Sequence, residues 1–115
     1  METIFERTML FDFYGDLLTD RQQEIYEDVV MNDMSLSEAA EAYGISRQGI
    51  HDTLKRCERT MQEYEEKLHA VAQFERLRKS LGSMNEILSD PASGIPENVK
   101  EELRTICQEM LREIG

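Results

Sequence analysis

Residues 35–55 read SLSEAAEAYGISRQGIHDTLK, and this stretch decides the fold. Ser35 and Ser46 each suit the position before a helix, because a serine hydroxyl can accept a hydrogen bond from an N–H group of the first turn. Gly44 lies between the two expected helices, where a glycine permits a sharp change of direction. The pattern predicts a helix-turn-helix at about residues 36–55, although any helical hairpin could reproduce part of it.

The packed centre of this motif needs small and apolar residues at defined positions. Two helices can approach closely only where the first has a small residue, and the second needs an apolar residue that faces it. We expect four residues to form this centre, namely Ala40 in the first helix, Gly44 in the turn, and Ile50 and Leu54 in the second helix. Ala39 would fill part of the remaining space between the helices.

If Ile50 and Leu54 face inward, the opposite side of the second helix is polar and is the candidate nucleic-acid surface. Its residues are Arg47, Gln48, His51, Lys55, Arg56 and Arg59. An arginine can bind guanine and a glutamine can bind adenine through two hydrogen bonds, and the last three side chains suit phosphate contacts. An ordinary solvated helix face would carry the same residue types, and Asp52 would repel phosphate.

Apolar residues recur at helical spacing along the whole chain, and no run of alternating β-branched residues predicts a strand. We expect an all-α fold, with a first helix over residues 3–14 and a second helix opened by the capping pattern Thr19-x-x-Gln22. Pro91 and Pro96 lie in one short stretch. The expected division is a helix-turn-helix domain with a long helical extension over 1–88, a linker over 89–96 and a C-terminal helix over 97–115.

The second helix of the motif continues into a regular apolar pattern. Cys57, Met61, Tyr64, Leu68 and Val71 continue the spacing of four and three residues that Ile50 and Leu54 begin. No proline or glycine interrupts residues 50–81, so the pattern predicts one helix of about 30 residues. The stripe is either a dimer seam or a face that packs on its own chain. We favour a homodimer, because a short chain offers few partners for so long a stripe, and the C-terminal helix could also pack on either chain.

Charge is unevenly distributed along the chain, whose net charge is −11. Residues 1–45 contain 11 acidic and 2 basic residues, whereas residues 46–80 contain 6 acidic and 8 basic residues. A dedicated DNA-binding protein usually presents a basic domain. Here only the second helix of the motif and its extension are basic, and the acidic first two helices would suit a basic partner surface.

The sequence lacks the patterns that indicate an enzyme, a metal site or a cofactor. The only cysteines are Cys57 and Cys107 and the only histidines are His51 and His69, and their spacing does not suit metal binding. No nucleophile can be paired with a base, and there is no glycine-rich phosphate loop. No apolar stretch is long enough to insert across a membrane and no signal peptide is visible, so we expect a cytoplasmic protein without a cofactor.

Four segments together resemble a known family. Leu10-Phe-Asp-Phe-Tyr-Gly15, Leu18-Thr-Asp-Arg-Gln22, Ser35-Leu-Ser-Glu-Ala-Ala40 and Gly44-Ile-Ser-Arg-Gln48 are similar to segments of the YlxM family, small bacterial proteins whose helix-turn-helix resembles region four of RNA polymerase sigma factors. The resemblance covers about residues 3–70 and implies an all-helical, often dimeric fold. It also implies a regulatory role in the signal recognition particle pathway. This chain departs from the family at Gly49, where alanine is usual, and at His51, where an aromatic residue is usual.

Two functions follow from these observations. A regulatory adaptor of the signal recognition particle pathway would contact the particle's GTPase or its RNA. A transcriptional regulator would read a two-fold DNA site with the second helix of each motif. The acidic balance of the chain favours the adaptor, with nucleic-acid contact retained through the second helix, and an enzyme is the poorest alternative.

Overall fold

The structure of the chain is a computed structural model that describes residues 3–114. Over this range it contains six α-helices and no strand, which confirms the expected all-α fold. The helices are α1 (Ile4–Tyr14), α2 (Asp20–Tyr26), α3 (Leu36–Tyr43), α4 (Arg47–Leu68), α5 (Ala70–Ser89) and α6 (Glu97–Ile114). A 3-10 turn (Gly15–Leu17) follows α1, and a π-helical turn (Glu27–Met31) follows α2.

Capping side chains determine where the first four helices begin. Thr3 and Thr19 each form a capping box with the residue three positions later. The hydroxyls of Ser35 and Ser46 each accept a hydrogen bond from the N–H group three residues later, at 3.0 and 2.9 Å. Each such cap stabilises a helix by about 1 kcal/mol, so the helix starts that the sequence predicts are fixed locally.

The chain packs as two compact units that divide between Val71 and Ala72. We call residues 3–71 the helix-turn-helix unit and residues 72–114 the hairpin unit. The core of the helix-turn-helix unit lies between α4 and the helices that precede it. Its most deeply buried side chains are Ile25, Tyr26, Ile50, Cys57 and Met61.

A cluster of aromatic residues packs the end of α1 against the core. The ring of Phe11 stacks on that of Tyr26 with 5.1 Å between centroids, and the ring of Tyr14 stacks on that of Tyr64 at 6.0 Å. A Cβ atom at Gly15 would lie 3.0 Å from the Phe11 ring. A side chain at position 15 would therefore require the Phe11 ring to move by a few tenths of an ångström.

The prediction of one helix from 50 to 81 is wrong, because α4 ends at Leu68 and α5 begins at Ala70. His69 between them adopts a left-handed conformation with φ of 54°, and its N–H group donates to the Glu65 carbonyl. This conformation is uncommon outside glycine but less so for histidine than for most residues. Because neither proline nor glycine marks the break, nothing in the local sequence pattern signals it.

The hairpin unit packs the end of α5 antiparallel to α6 along a short seam. Leu81, Leu88 and Cys107 are its buried apolar residues, and the Cys107 thiol donates to the Leu81 carbonyl at 3.2 Å. Lys100 is only 5% exposed, and its ammonium donates to the Asp90 carbonyl at 2.8 Å. This hydrogen bond links the first turn of α6 to the residue that follows α5.

The spacing of Val99, Leu103, Ile106, Met110 and Ile114 predicts one apolar stripe on the last helix, and in the structure this stripe divides between two faces of α6. Ile114 packs against the buried cluster of the hairpin, together with Leu111. The remaining four residues of the stripe are exposed, namely Val99, Leu103, Ile106 and Met110. The helix therefore uses a neighbouring face, which includes the charged Lys100, to pack on its own chain.

Candidate nucleic-acid interface on the helix-turn-helix

The turn between α3 and α4 is built around a glycine. Gly44 has φ of 67°, a left-handed conformation in which any other residue would be strained. The N–H groups of Gly44 and Ile45 both donate to the Ala40 carbonyl and so close the end of α3. One residue later, Ser46 caps α4, so the two helices of the motif follow each other after a minimal turn.

The predicted centre of the motif is close to the observed one. Ile50 is fully buried and Leu54 is 8% exposed. Ala39 is the fully buried small residue of α3, whereas Ala40, which we assigned to that role, is only partly buried against the core. The assignment was off by one residue because adjacent alanines are indistinguishable by size.

Contacts outside the motif hold α3 in place. The Tyr43 hydroxyl donates to the Asp28 carboxylate, and the Arg21 guanidinium donates to the Tyr43 carbonyl at 3.0 Å while lying over its ring. The hydrogen bond to Asp28, followed by burial, raises the pKa of Tyr43 to about 12. These residues are 15 and 22 positions apart, and no spacing rule in the sequence pairs them.

All six residues of the candidate nucleic-acid surface are exposed on α4. At about 100° per residue, Gln48, Asp52, Lys55 and Arg59 form one row on the side of the helix opposite its buried side. Arg47, Gln48 and His51 also line an open groove of about 530 Å³, with Leu36 of α3 and Ser46. The groove brings together part of the predicted surface, whereas Lys55, Arg56 and Arg59 lie further along the helix.

An acidic side chain lies in the middle of this surface. Asp52 accepts a hydrogen bond from the Gln48 side-chain amide at 3.0 Å, and its carboxylate lies 4.0 Å from His51 Nδ1. The amide that could read adenine is therefore already bonded within the helix. The arrangement favours contacts to phosphate by Arg47, Lys55 and Arg59 over base recognition by Gln48.

The structure separates the residues of the expected dimer seam. Cys57 and Met61 are fully buried in the core of their own chain, which accounts for this part of the heptad pattern, and burial raises the pKa of the Cys57 thiol to about 11. Tyr64 stacks on Tyr14 and is partly buried. Val71 also packs against the core, and Leu68 is 55% exposed.

The surface of α1 and α2 is strongly acidic. Exposed carboxylates on these helices and the turns after them are those of Glu6, Asp12, Asp16, Asp20, Glu24, Glu27 and Asp33. The two arginines of this region are engaged, because Arg7 forms an ion pair with Glu58 and Arg21 lies over Tyr43. This surface would repel a nucleic acid.

Between residues 3 and 114, no group of three or more histidine, cysteine or acidic side chains could hold a metal ion. No helix in this range is both long and apolar enough to cross a membrane.

A capped α3, a glycine turn and a second helix with an exposed polar face define a helix-turn-helix protein. The model of the family described as "Putative helix-turn-helix protein, YlxM / p13 like" matches residues 1–102. The chain belongs to this family, which is also called UPF0122, and the resemblance drawn from the sequence is confirmed.

Relatives named UPF0122 protein occur in several bacteria. One from Desulforamulus reducens is 40% identical over 111 residues, which cover 96% of this chain and 95% of the relative. One from Caldanaerobacter subterraneus is 47% identical over 81 residues, or 70% of this chain and 69% of the relative. One from Bacillus cereus is 32% identical over 108 residues, or 94% of each chain. Two of these matches thus extend over nearly the whole chain, including most of the hairpin unit.

Proposed function

We propose that this chain is a non-catalytic regulatory protein that binds nucleic acid through α4 of its helix-turn-helix. The observation that carries the proposal is the group of exposed cations Arg47, Lys55, Arg56 and Arg59 on the outer side of α4, in a chain whose net charge is −11. A helix after a tight turn is the element that such motifs place against a nucleic-acid groove. These cations give a small binding surface with a defined position.

The expected contact is mainly electrostatic. Lys55, Arg56 and Arg59 can bind phosphates. Asp52 holds the Gln48 side-chain amide in a hydrogen bond, and its negative charge opposes a close approach of the phosphate backbone of the nucleic acid. With so few cations, one helix neutralises only a handful of phosphates, so affinity falls with salt but less steeply than for a basic domain. A weak contact of this kind suits an adaptor that is also held by a protein partner.

The acidic surface of α1 and α2 supports a protein partner with a basic surface. Opposite charges on two proteins accelerate and orient their association. The family resemblance suggests that the partner belongs to the signal recognition particle pathway, as its GTPase, with the particle's RNA as the nucleic acid. In this proposal α4 and the acidic surface bind different components of one assembly.

A second candidate function is transcriptional regulation, favoured by the groove between the starts of α3 and α4. Arg47 at its edge could bind guanine through two hydrogen bonds. A pair of such helices would read a two-fold DNA site. This function requires sequence-specific binding, which the adaptor does not.

The experiment is a binding series with labelled signal recognition particle RNA, random duplex DNA and the purified particle GTPase, each over a range of salt concentrations. The informative variant is Arg47→Glu/Lys55→Glu. We expect it to reduce nucleic-acid affinity at least about tenfold and to reduce the salt slope by about 2, since two phosphate contacts are lost. Binding to the GTPase should be unchanged.

The matched control is Lys67→Glu/Arg112→Glu, which makes the same change in net charge at two exposed positions that are not among the six residues of the candidate surface. This control should leave the contacts of Arg47 and Lys55 with the nucleic acid in place and should lower nucleic-acid affinity only slightly. Equal losses in both variants would show that net charge alone governs binding and would refute a surface on α4. Tight binding to one sequence selected from the random duplex DNA, with no binding to the GTPase or the RNA, would favour the transcriptional regulator.

A further inference from the structure

The hairpin unit exposes a row of large apolar side chains on each of its helices. These are Leu77, Met84 and Ile87 on α5 and Val99, Leu103, Ile106 and Met110 on α6, each 39–59% exposed. We call these seven residues the apolar face. Contiguous apolar patches larger than a few hundred Å² are rare on monomeric proteins and usually mark an interaction site.

The packing of α6 makes this exposure unusual. Its seam within the hairpin contains Lys100 and Arg104, whose charged groups donate to the carbonyls of Asp90 and Leu88. Each apolar residue immediately precedes a seam residue, as Val99 precedes Lys100 and Leu103 precedes Arg104. The helix thus packs two cations against its own hairpin and leaves the more apolar stripe uncovered.

The exposed residues of the two helices lie on the same side of the hairpin. On α5, Met84 and Ile87 precede the inward-facing Asn85 and Leu88 by one residue, just as the exposed residues of α6 precede its seam. On each helix, the residue before a seam residue is rotated about 100° around the helix axis from it, in the same sense for both helices. Because α5 and α6 run antiparallel, these rotations bring both stripes to one side and form a continuous face.

The two edges of the apolar face carry opposite charges. On α6 the outer edge is formed by the exposed carboxylates of Glu102, Glu109 and Glu113. On α5 the outer edge is formed by the exposed cations of Arg76 and Lys79. A surface with one acidic and one basic edge is complementary to a second copy of itself.

Charge selects one arrangement of two copies. A two-fold axis parallel to the helices places α5 of one copy on α6 of the other, so that the basic edge of each copy meets the acidic edge of its partner. A two-fold axis across the helices places α5 on α5 and α6 on α6, so that edges of the same charge meet. Leu81 contacts Cys107 within the hairpin, so Arg76 is level with Glu113 and Lys79 with Glu109. A two-fold axis parallel to the helices leaves the height of each residue along the helices unchanged. The dimer would therefore contain the ion pairs Arg76–Glu113 and Lys79–Glu109 twice each.

The area is sufficient for a stable dimer. Covering seven half-exposed side chains buries roughly 600 Å² on each copy, or roughly 1,200 Å² in total, which reaches the lower limit of specific interfaces. The opposite side of the hairpin carries more charged and polar side chains, with a groove lined by Arg78, Gly82, Gln108, Leu111 and Arg112. One side of the hairpin is therefore suited to burial and the other to solvent.

We propose that the apolar face is the docking site for a second copy of this chain, with α5 of each copy antiparallel to α6 of the other. This interface differs from a seam along α4, where Cys57 and Met61 are covered by their own chain. It is independent of the proposed nucleic-acid binding, because the dimer forms without nucleic acid. The measurement is the mass in solution by sedimentation equilibrium over a range of protein concentrations.

The first variant is Leu103→Glu/Ile106→Glu, which places charges in the middle of the apolar face. We expect a dimer for the wild-type chain and a monomer of unchanged helix content for this variant. Its control, Thr105→Glu/Gln108→Glu, adds the same charges at exposed positions of α6 away from the face and should remain dimeric. A dimer that withstands Leu103→Glu/Ile106→Glu would overturn the proposal.

The second test mixes two charge-reversed variants, Arg76→Glu/Lys79→Glu and Glu109→Lys/Glu113→Lys. Each alone faces like charges across the interface, so its dimer should dissociate at roughly tenfold higher concentration than the wild type, since reversed ion pairs repel. Mixed together, they restore unlike edges on both sides and should form a heterodimer as tight as the wild-type dimer. Failure to form it, or a wild-type chain that stays monomeric at all concentrations, would refute the arrangement and leave the face to a different protein.

Discussion

The Tyr14 hydroxyl donates to the Glu65 carboxylate at 2.5 Å, which ties the end of α1 to the last turn of α4. The same carboxylate accepts from the Val71 N–H at 3.0 Å, and the Tyr14 hydroxyl accepts from the Ala70 N–H at 3.3 Å. Burial, reinforced by the bond to Glu65, raises the pKa of Tyr14. These bonds satisfy the backbone just after His69, so they stabilise the break between α4 and α5.

We expect Tyr14→Phe to lower the free energy of unfolding by about 1–2 kcal/mol, because a buried N–H group and a carboxylate each lose a partner. The phenylalanine ring keeps the stacking on Tyr64. The measurement is urea unfolding followed by circular dichroism. Tyr64→Phe removes a hydroxyl from the other ring of the pair and should change stability by less than about 0.5 kcal/mol. Equal effects of the two changes would mean that the bonds at the break contribute little.

The left-handed residue at the break predicts an unusual response to substitution. His69→Gly should leave stability unchanged or raise it, because glycine adopts this conformation without strain. His69→Val should lower stability by about 1–2 kcal/mol, because a β-branched side chain clashes with the backbone there. Lys67→Gly, two residues earlier in α4, should be destabilising by up to about 1 kcal/mol. If glycine at 69 cost as much as glycine at 67, α4 and α5 would be one continuous helix in solution.

Asp52 at the centre of the candidate surface predicts a gain in binding. Asp52→Asn keeps an oxygen that can accept the Gln48 hydrogen bond and removes the charge that repels phosphate. Nucleic-acid affinity should rise roughly fivefold at low salt, in line with about 1 kcal/mol for unit charges 4 Å apart in water. The measurement is fluorescence anisotropy with labelled RNA and DNA. Asp12→Asn on α1 makes the same change in net charge and should have a smaller effect, and the reverse order would contradict a contact at α4.

Alkaline pH should destabilise the helix-turn-helix unit. The hydrogen bond to Asp28 and burial raise the pKa of Tyr43 from 10.0 to about 12, and burial raises the pKa of Cys57 from 9.0 to about 11. Both groups therefore hold a proton more tightly when the chain is folded, so their stabilisation is complete below about pH 9 and is lost as pH rises towards 12. Urea unfolding at pH 8 to 11 measures this loss. Tyr43→Phe should flatten the decline above pH 10, and an unchanged decline would contradict the role of Tyr43.

The sequence predicts local structure better than it predicts which faces are covered. The caps at Thr19, Ser35 and Ser46 and the turn at Gly44 were predictable because each depends on residues at most four positions apart. The break at His69 was not, because it depends on bonds to Tyr14, 55 residues earlier. A spacing of four and three residues identifies an apolar stripe but not what covers it, so Cys57 and Ile106 look alike in sequence although only Cys57 is buried.

The candidate surface shows the same limit. Helical periodicity correctly places all six predicted residues of α4 on the outside. It does not show that Gln48 is bonded to Asp52, because the choice of partner depends on side-chain rotamers. The ties of Tyr43 to Asp28 and Arg21 were also missed, since they join segments that approach only after folding.

The two units differ greatly in how much they bury. The cluster of the helix-turn-helix unit contains eleven buried side chains and that of the hairpin unit three, namely Leu81, Leu88 and Cys107. Regions with small cores open more often, and their backbone amides exchange hydrogen with solvent sooner. The amides of α6 should therefore exchange long before those of α4 in a dilute protein. Raising the protein concentration should slow exchange in α6 alone if a second copy completes the missing core.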